Sequence, residues 1–157
     1  MDKSVENTKK IMEQLGVDGE IIEHPETNGT RSEVIAKALN VPLEHIIKCL
    51  ILKSKDGSLV AAVILGNQKL DVKKVESIFK KKKLSLASSE SVQKATGYSI
   101  GGVPPFVVIN RFHSCVDSEV VNKSYVIGSA GTPYHGLKFD PTIFKRFDVK
   151  IDDISMS

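Results

Sequence analysis

Cysteine is scarce in this 157-residue chain: Cys49 and Cys115 are the only two. That excludes a disulfide scaffold, and without a secretion signal both thiols are expected to stay reduced. Glycine, at 11, and proline, at 6, are too few for a collagen-like repeat. Arginine occurs only at Arg31, Arg111 and Arg146. Two-bond readout of base edges prefers its planar fork, so a nucleic acid contact here would be made through lysine to backbone phosphate. Long apolar runs are missing as well. Stretches such as residues 60–65 fall far short of the roughly 20 residues that a membrane-spanning helix needs. The opening Met1-Asp2-Lys3-Ser4-Val5-Glu6 has no apolar signal segment. A cytosolic protein with no membrane partner is expected.

What is present suffices for a core. Apolar residues make up 41% and charged residues 26%, which suits one folded domain over residues 1–157 and excludes wholesale disorder. No repeat, low-complexity segment or Pro/Ser-rich linker divides the chain. Net charge is +3, unevenly spread: Lys80, Lys81, Lys82 and Lys83 follow Lys73 and Lys74. This run reads either as a patch for nonspecific attraction to nucleic-acid phosphates or as the solvated C-terminus of a helix, where cations complement the macrodipole.

Residue spacing predicts the elements. Val5, Thr8, Ile11, Met12 and Leu15 recur at helical spacing before Gly16, and residues 20–24 read as a short strand ended by Pro25. Thr30-Arg31-Ser32-Glu33 has the form of a capping box for a helix through Leu39, stopped by Pro42. Residues 46–52 and 59–65, joined by Lys55-Asp56-Gly57-Ser58, form the strongest strand signal, a β-hairpin. Asp71 caps a helix carrying Val72, Val75, Ile78 and Phe79, and residues 84–87 make a short strand. Ser89 caps a turn of helix ending near Gly97. A shaped Gly/Pro loop, Tyr98 through Phe106, follows. Residues 106–109, 114–116, 124–127 and 136–139 read as strands, with a helical turn at 117–121, a second glycine loop at 128–131 and a last helical turn after Asp140-Pro141. The sum is an α/β domain with a largely antiparallel or mixed sheet.

Lys48 is the most informative single residue. Strand alternation puts it on one face with Ile46, Leu50 and Leu52, where an ammonium must be paired, line a cleft or give up its proton. An edge-strand gatekeeper or a lysine snorkelling to the surface would explain it without function. Cys49 falls on the opposite face and reads as a small core residue. Gly101-Gly102 and Gly128-Ser129-Ala130-Gly131 can bring backbone close to a ligand, or serve merely as turns. Neither fits a dinucleotide or P-loop signature, and there is no G-x-S-x-G elbow. The four histidines are scattered, and His113-Ser114-Cys115 lacks a second ligand pair, so no metal or other cofactor is expected.

The order of these pieces resembles the YbaK/prolyl-tRNA-synthetase-associated editing domains, from about Glu20 to Phe144. It is carried by Thr30-Arg31-Ser32-Glu33 leading into Ala36-Lys37-Ala38-Leu39, Ile46-Ile47-Lys48-Cys49-Leu50, Gly66 with Leu70-Asp71, Thr96-Gly97-Tyr98 with Gly101-Gly102-Val103-Pro104-Pro105-Phe106, and Ser129-Ala130-Gly131. The resemblance implies a single α/β domain whose curved, mostly antiparallel or mixed central sheet is flanked by helices. It also implies hydrolysis of the ester joining a wrong amino acid to the 3′ end of tRNA. Lys48 would be the functional, catalytic residue, with Thr30, Gly101, Gly102, Ser129, Ala130 and Gly131 holding the aminoacyl group and terminal adenosine. Lys80, Lys81, Lys82 and Lys83 are candidates for contact with the rest of the tRNA. Implied partners are the aminoacylated 3′ end and, in some arrangements, an aminoacyl-tRNA synthetase.

Members acting on cysteinyl-tRNA resemble this chain less at the rim: aromatic residues stand near the positions of His24 and Thr30. Thr132-Pro133-Tyr134-His135 is about two residues longer than the common form, and Lys138 replaces an acidic residue of some relatives. The expected activity is trans-editing of a mischarged tRNA, of the tRNAPro type or another small amino acid. The competing expectations are a tRNA- or synthetase-binding module without hydrolysis, and a small-molecule or nucleotide binder that reuses the pocket.

Overall fold

The computed structural model describes residues 3–25 and 32–156. The apolar stripe of α1 (Lys3–Leu15) buries Val5, Thr8 and Met12, and Gly16, at φ +67°, turns the chain out of the helix. Strand β1 (Glu20–Glu23) and helix α2 (Ser32–Leu39) follow. The Thr30-Arg31 half of the expected capping box lies outside the described residues. The hairpin forms as its sequence predicts, with β2 (Ile47–Lys53) antiparallel to β3 (Leu59–Leu65).

Every residue of β3 from Val60 onward is buried. The strand is central to the five-stranded sheet, and both sheet faces are covered, which is why its sequence is an unbroken apolar run rather than an alternation. Helix α3 (Val72–Phe79) packs Val75 against Leu52, Val60, Ala62 and Ile64 on one face. Asp71 caps it, accepting from Lys73 N at 3.1 Å. Lys80 takes the left-handed C-cap at φ +52°, so the rest of the lysine run forms a turn beyond the helix.

Short β4 (Ser85–Leu86) pairs with the end of β2, and α4 (Ser89–Thr96) is capped by Ser88, whose Oγ accepts from Ser91 N at 3.1 Å; the cap is therefore one residue earlier than the sequence predicts. The next difference is larger. The expected strand at 106–109 is helix α5 (Pro105–Arg111). Four apolar residues carry no period of their own, and Pro105 at the first helical turn sets the backbone for a helix buried on nearly all sides. Phe106 meets Phe139 at 4.9 Å edge to face and Phe144 at 6.0 Å, which fixes α5 in the core on the other face of the sheet.

β5 (His113–Asp117) runs parallel to β3, and β8 (Lys150–Asp152), a strand not predicted, runs parallel to β5. The large sheet is thus mixed, in the order β4-β2-β3-β5-β8. β6 (Val126–Thr132) and β7 (His135–Phe139) complete a three-stranded antiparallel sheet in the order β1-β7-β6. The expected glycine loop at 128–131 is therefore strand, interrupted by a register shift between Ser129 and Thr132. A parallel bridge between Ile46 and Ile127 joins the two sheets. Among the described residues, no helix is long and apolar enough to cross a membrane.

Candidate active site

Where β2 leaves the shelter of β4, a cavity of about 610 Å³ opens between β2, the Gly/Pro loop before α5, and the β6–β7 turn. Such a volume is typical of a small-molecule site. Lys48, Gly101, Gly102, Ser129 and Gly131 all line it. Residues about 80 positions apart in sequence are brought together because β6 is pulled against β2 at the Ile46–Ile127 bridge.

Lys48 is half-buried, and its Nζ donates to the main-chain carbonyl of Gln68 at 3.1 Å. Gln68 is held at both ends of its own amide: Oε1 accepts from Leu65 N at 2.9 Å, and Nε2 donates to Asp117 Oδ1 at 3.0 Å. Asp117 is 1% exposed and also accepts from Glu119 N at 2.9 Å and Ile154 N at 3.0 Å. A buried carboxylate thus fixes Gln68, and Gln68 fixes the ammonium. An ammonium has three N–H donors, so two remain for a ligand. Gln68 and Asp117 carry no sequence signal for this role, since their meeting depends on β5 lying beside β3.

Strand parity holds on the neighbouring residue. Cys49 packs with the core on the face opposite Leu50 and Leu52. Although part of its surface borders the cavity, desolvation pushes its thiol up to about 12. A thiol so raised stays protonated near neutral pH and is no nucleophile.

The two glycine segments touch. A Cβ on Gly102 would stand 3.9 Å from Gly131 O. Gly101 has φ +79° and Gly131 φ +110°, both in the region that favours glycine. At Gly131 a Cβ would also come within 2.9 Å of Tyr98 Cε1 and 3.2 Å of Ser4 Cβ. The N–H of Gly131 donates to Ser129 Oγ at 3.0 Å and that of Gly102 to Ser99 O at 2.9 Å. These two N–H groups are therefore already engaged, and among the described residues no backbone bond occupies Gly101 N–H. Ala130 stands apart from its neighbours: its side chain is fully buried in the core, and its carbonyl accepts from Thr8 Oγ1 at 3.0 Å. Together with the bond from Asn7 Nδ2 to Tyr98 Oη at 3.0 Å, this ties α1 to both glycine segments.

The rim has residues that sequence reading noticed only as departures. His24 and His135 line the cavity, as do Thr132 and Pro133. Thr132 Oγ1 and His135 Nδ1 are 2.6 Å apart, and His135 Nε2 lies 3.5 Å from Glu23 Oε1, which follows from the β1–β7 register pairing Glu23 with His135. Thr30 lies outside the described residues. Lys80, Lys81, Lys82 and Lys83 do not line the cavity. They sit at the turn beside the β2–β3 hairpin, with Lys81 on Asp56 at 3.1 Å and Lys55 N bonded to Lys82 O at 3.2 Å. The cavity is nonetheless near, since Leu86 lines it and neighbouring Ser85 pairs with Lys53.

The family described as aminoacyl-tRNA editing domain matches residues 24–147. This chain belongs to that family. A proline–tRNA ligase of Caldicellulosiruptor saccharolyticus is 28% identical over 137 residues, 86% of this chain and 22% of the ligase. EbsC of Enterococcus faecalis, a candidate Cys-tRNA(Pro)/Cys-tRNA(Cys) deacylase, is 32% identical over 100 residues, 64% of this chain and 61% of that protein. This editing-domain chain thus spans only part of either relative. Its fold matches the crystal structure of a candidate trans-editing enzyme for prolyl-tRNA synthetase, with a TM-score of 0.88 at 21% identity, covering 100% of this chain and 99% of the other.

Proposed function

We propose that this editing domain hydrolyses the ester of a mischarged tRNA, acting in trans on an aminoacylated 3′ end that carries a small amino acid, with tRNAPro the first candidate. The observation that carries this reading is Lys48, anchored on Gln68 at 3.1 Å in the wall of the cavity that the glycine segments close. Family membership and the likeness to EbsC support it.

The chemistry needs no strong base. An aminoacyl ester is already activated, so orientation and stabilisation of the developing oxyanion suffice for large accelerations. The two remaining N–H donors of Lys48 would hold the ester oxygen or the phosphate of the terminal nucleotide. Gly101 N–H, which no backbone bond occupies among the described residues, would add a backbone donor, and the Ser129 hydroxyl, which accepts from Gly131, keeps its own proton for the amino acid. Selection would rest on the acyl group that fits. A synthetic site separates amino acids differing by one methylene by only about 1–3 kcal/mol, and a second, hydrolytic site makes up the shortfall.

The test is loss of amino acid from tRNAPro charged with alanine, cysteine or proline, and from tRNAs for serine and threonine charged correctly and wrongly, with this chain alone and no synthetase added. Hydrolysis of a mischarged species, survival of Pro-tRNAPro, and loss of turnover in a folded Lys48→Ala variant are expected. Salt-sensitive tRNA binding with every ester intact would instead identify a binding module. Equal cleavage of Pro-tRNAPro would end the editing reading.

A further inference from the structure

Six consecutive residues, 46–51, line the cavity. Side chains of a strand alternate between its two faces, so one face cannot present consecutive residues; the edge can. β2 therefore meets the cavity edge-on. Its outer edge is closed at one end by the Ile46–Ile127 bridge and at the other by β4, whose pairing reaches only Leu52 and Lys53, extended by a bond from Ala87 N to Ile51 O at 2.9 Å. Between those ends the strand has no partner among the described residues.

Two hydrogen bonds tell which backbone groups face the opening. Ile46 O accepts from Gly66 N at 2.6 Å on the β3 side, and Ile51 O accepts from Ala87 N on the β4 side. In an antiparallel strand, N–H and C=O of one residue point the same way and alternate along the chain. Lys48 and Leu50 thus bond to β3, while Ile47, Cys49 and Ile51 turn outward. Cys49 N–H and C=O lie midway along the open stretch, flanked by Ile47 C=O and Ile51 N–H. Backbone groups withdrawn from water without a partner are costly, so this row of alternating acceptors and donors is a place where a ligand gains hydrogen bonds.

The surroundings indicate the ligand's shape. Leu86 is 64% exposed and Ile100 50% exposed, and both line the cavity, as do Ile47, Ile51 and Val103. Apolar side chains above and below a hydrogen-bonding edge suit a flat heterocycle that carries an acceptor beside a donor. Adenine has that pattern on its Watson–Crick edge, N1 accepting and the 6-amino group donating. The geometry points to the outer edge of β2 at Cys49 as an adenine-reading subsite: the carbonyl of one outward residue takes the 6-amino hydrogen, and the N–H of the next outward residue donates to N1. Naming the ligand as the terminal adenosine rests on the deacylase reading above. It sets the base one residue from Lys48, beside the ester.

The experiment varies the base and leaves the protein intact. Mischarged acceptor-stem RNAs ending in adenosine, purine riboside or inosine are compared for kcat/KM. Inosine presents N1–H and O6, the reverse pattern, and should lose about 30-fold; purine riboside, which keeps N1 alone, should fall between. Binding of adenosine and inosine monophosphates is read in parallel from the Cys49 amide resonance of the same protein. Adenosine monophosphate should shift it and inosine monophosphate should not. Equal cleavage of all three RNAs, with the Cys49 amide unmoved, overturns the subsite and leaves the deacylase standing. A Cys49 shift specific to adenosine monophosphate, with no RNA deacylated, keeps the subsite and overturns the deacylase.

Discussion

The Lys48 ammonium and the Gln68 carbonyl, 3.1 Å apart, form the first link of a chain that ends in the buried carboxylate of Asp117. Gln68→Ala keeps the carbonyl but removes both amide clamps, leaving Lys48 on a movable support. Small misplacements of a reacting group cost up to about a hundredfold. The expected result is a tenfold to hundredfold fall in kcat, roughly, with KM within about twofold. A change in KM alone would show that Gln68 acts on binding and not on Lys48.

Gly131 combines φ +110° with a Cβ direction blocked by Tyr98 at 2.9 Å. Gly131→Ala should lower unfolding free energy by about 1–3 kcal/mol, seen as a reduced denaturant midpoint. Because the clash pushes against Tyr98 and α1, deacylation should suffer more than the loss of folded protein explains. Gly57→Ala is the comparison: it has φ +87° with open space around its Cβ direction, and should cost stability through backbone strain without an effect on turnover.

The lysines at the turn offer a test that leaves the cavity intact. Lys82 and Lys83 are exposed, and neither lines the cavity. If they meet tRNA phosphates, Lys82→Ala with Lys83→Ala should raise KM for tRNA and flatten the dependence of log KM on log salt by about 0.7–0.9 for each phosphate no longer neutralised. The kcat value should hold. An unchanged salt slope would reduce the run to a solvated turn.

Burial pushes both thiols, Cys49 and Cys115, up to about 12 from 9.0. The folded state then holds protons that the unfolded chain releases, so each contribution is fully present below about pH 9 and declines as pH rises toward 12. Urea titrations at pH 8 and pH 10 should show a smaller loss on raising the pH for Cys115→Ala than for the parent protein, whatever the variant costs at pH 8. Equal losses would mean that the thiols ionise as easily folded as unfolded.

The hairpin, the Asp71 and Asp140 caps, and the parity of Lys48 against Cys49 were readable from the chain because each depends on neighbours within a few positions. The resemblance of motif order to editing domains reached further and named Lys48, Thr30, Gly101, Gly102, Ser129, Ala130 and Gly131: Lys48, Gly101, Gly102, Ser129 and Gly131 line one cavity, Ala130 turns into the core, and Thr30 lies outside the described residues. Readings failed where local pattern is ambiguous. Residues 106–109 are equally apolar as strand or helix, and the tertiary cluster around Phe106 decided for the helix.

Sequence by itself determined where the turns, caps and apolar runs fall, since these follow from the conformational limits of single residues and short spacings. Only the tertiary structure decided which distant groups meet. The parallel placement of β5 beside β3 brings Asp117 to Gln68, and the antiparallel register of β1 on β7 brings His135 to Glu23. The early end of β4 leaves the edge of β2 open beside Lys48. Strand pairing is set by burial across the whole sheet and not by the residues of either strand alone, which is why no local motif announces it.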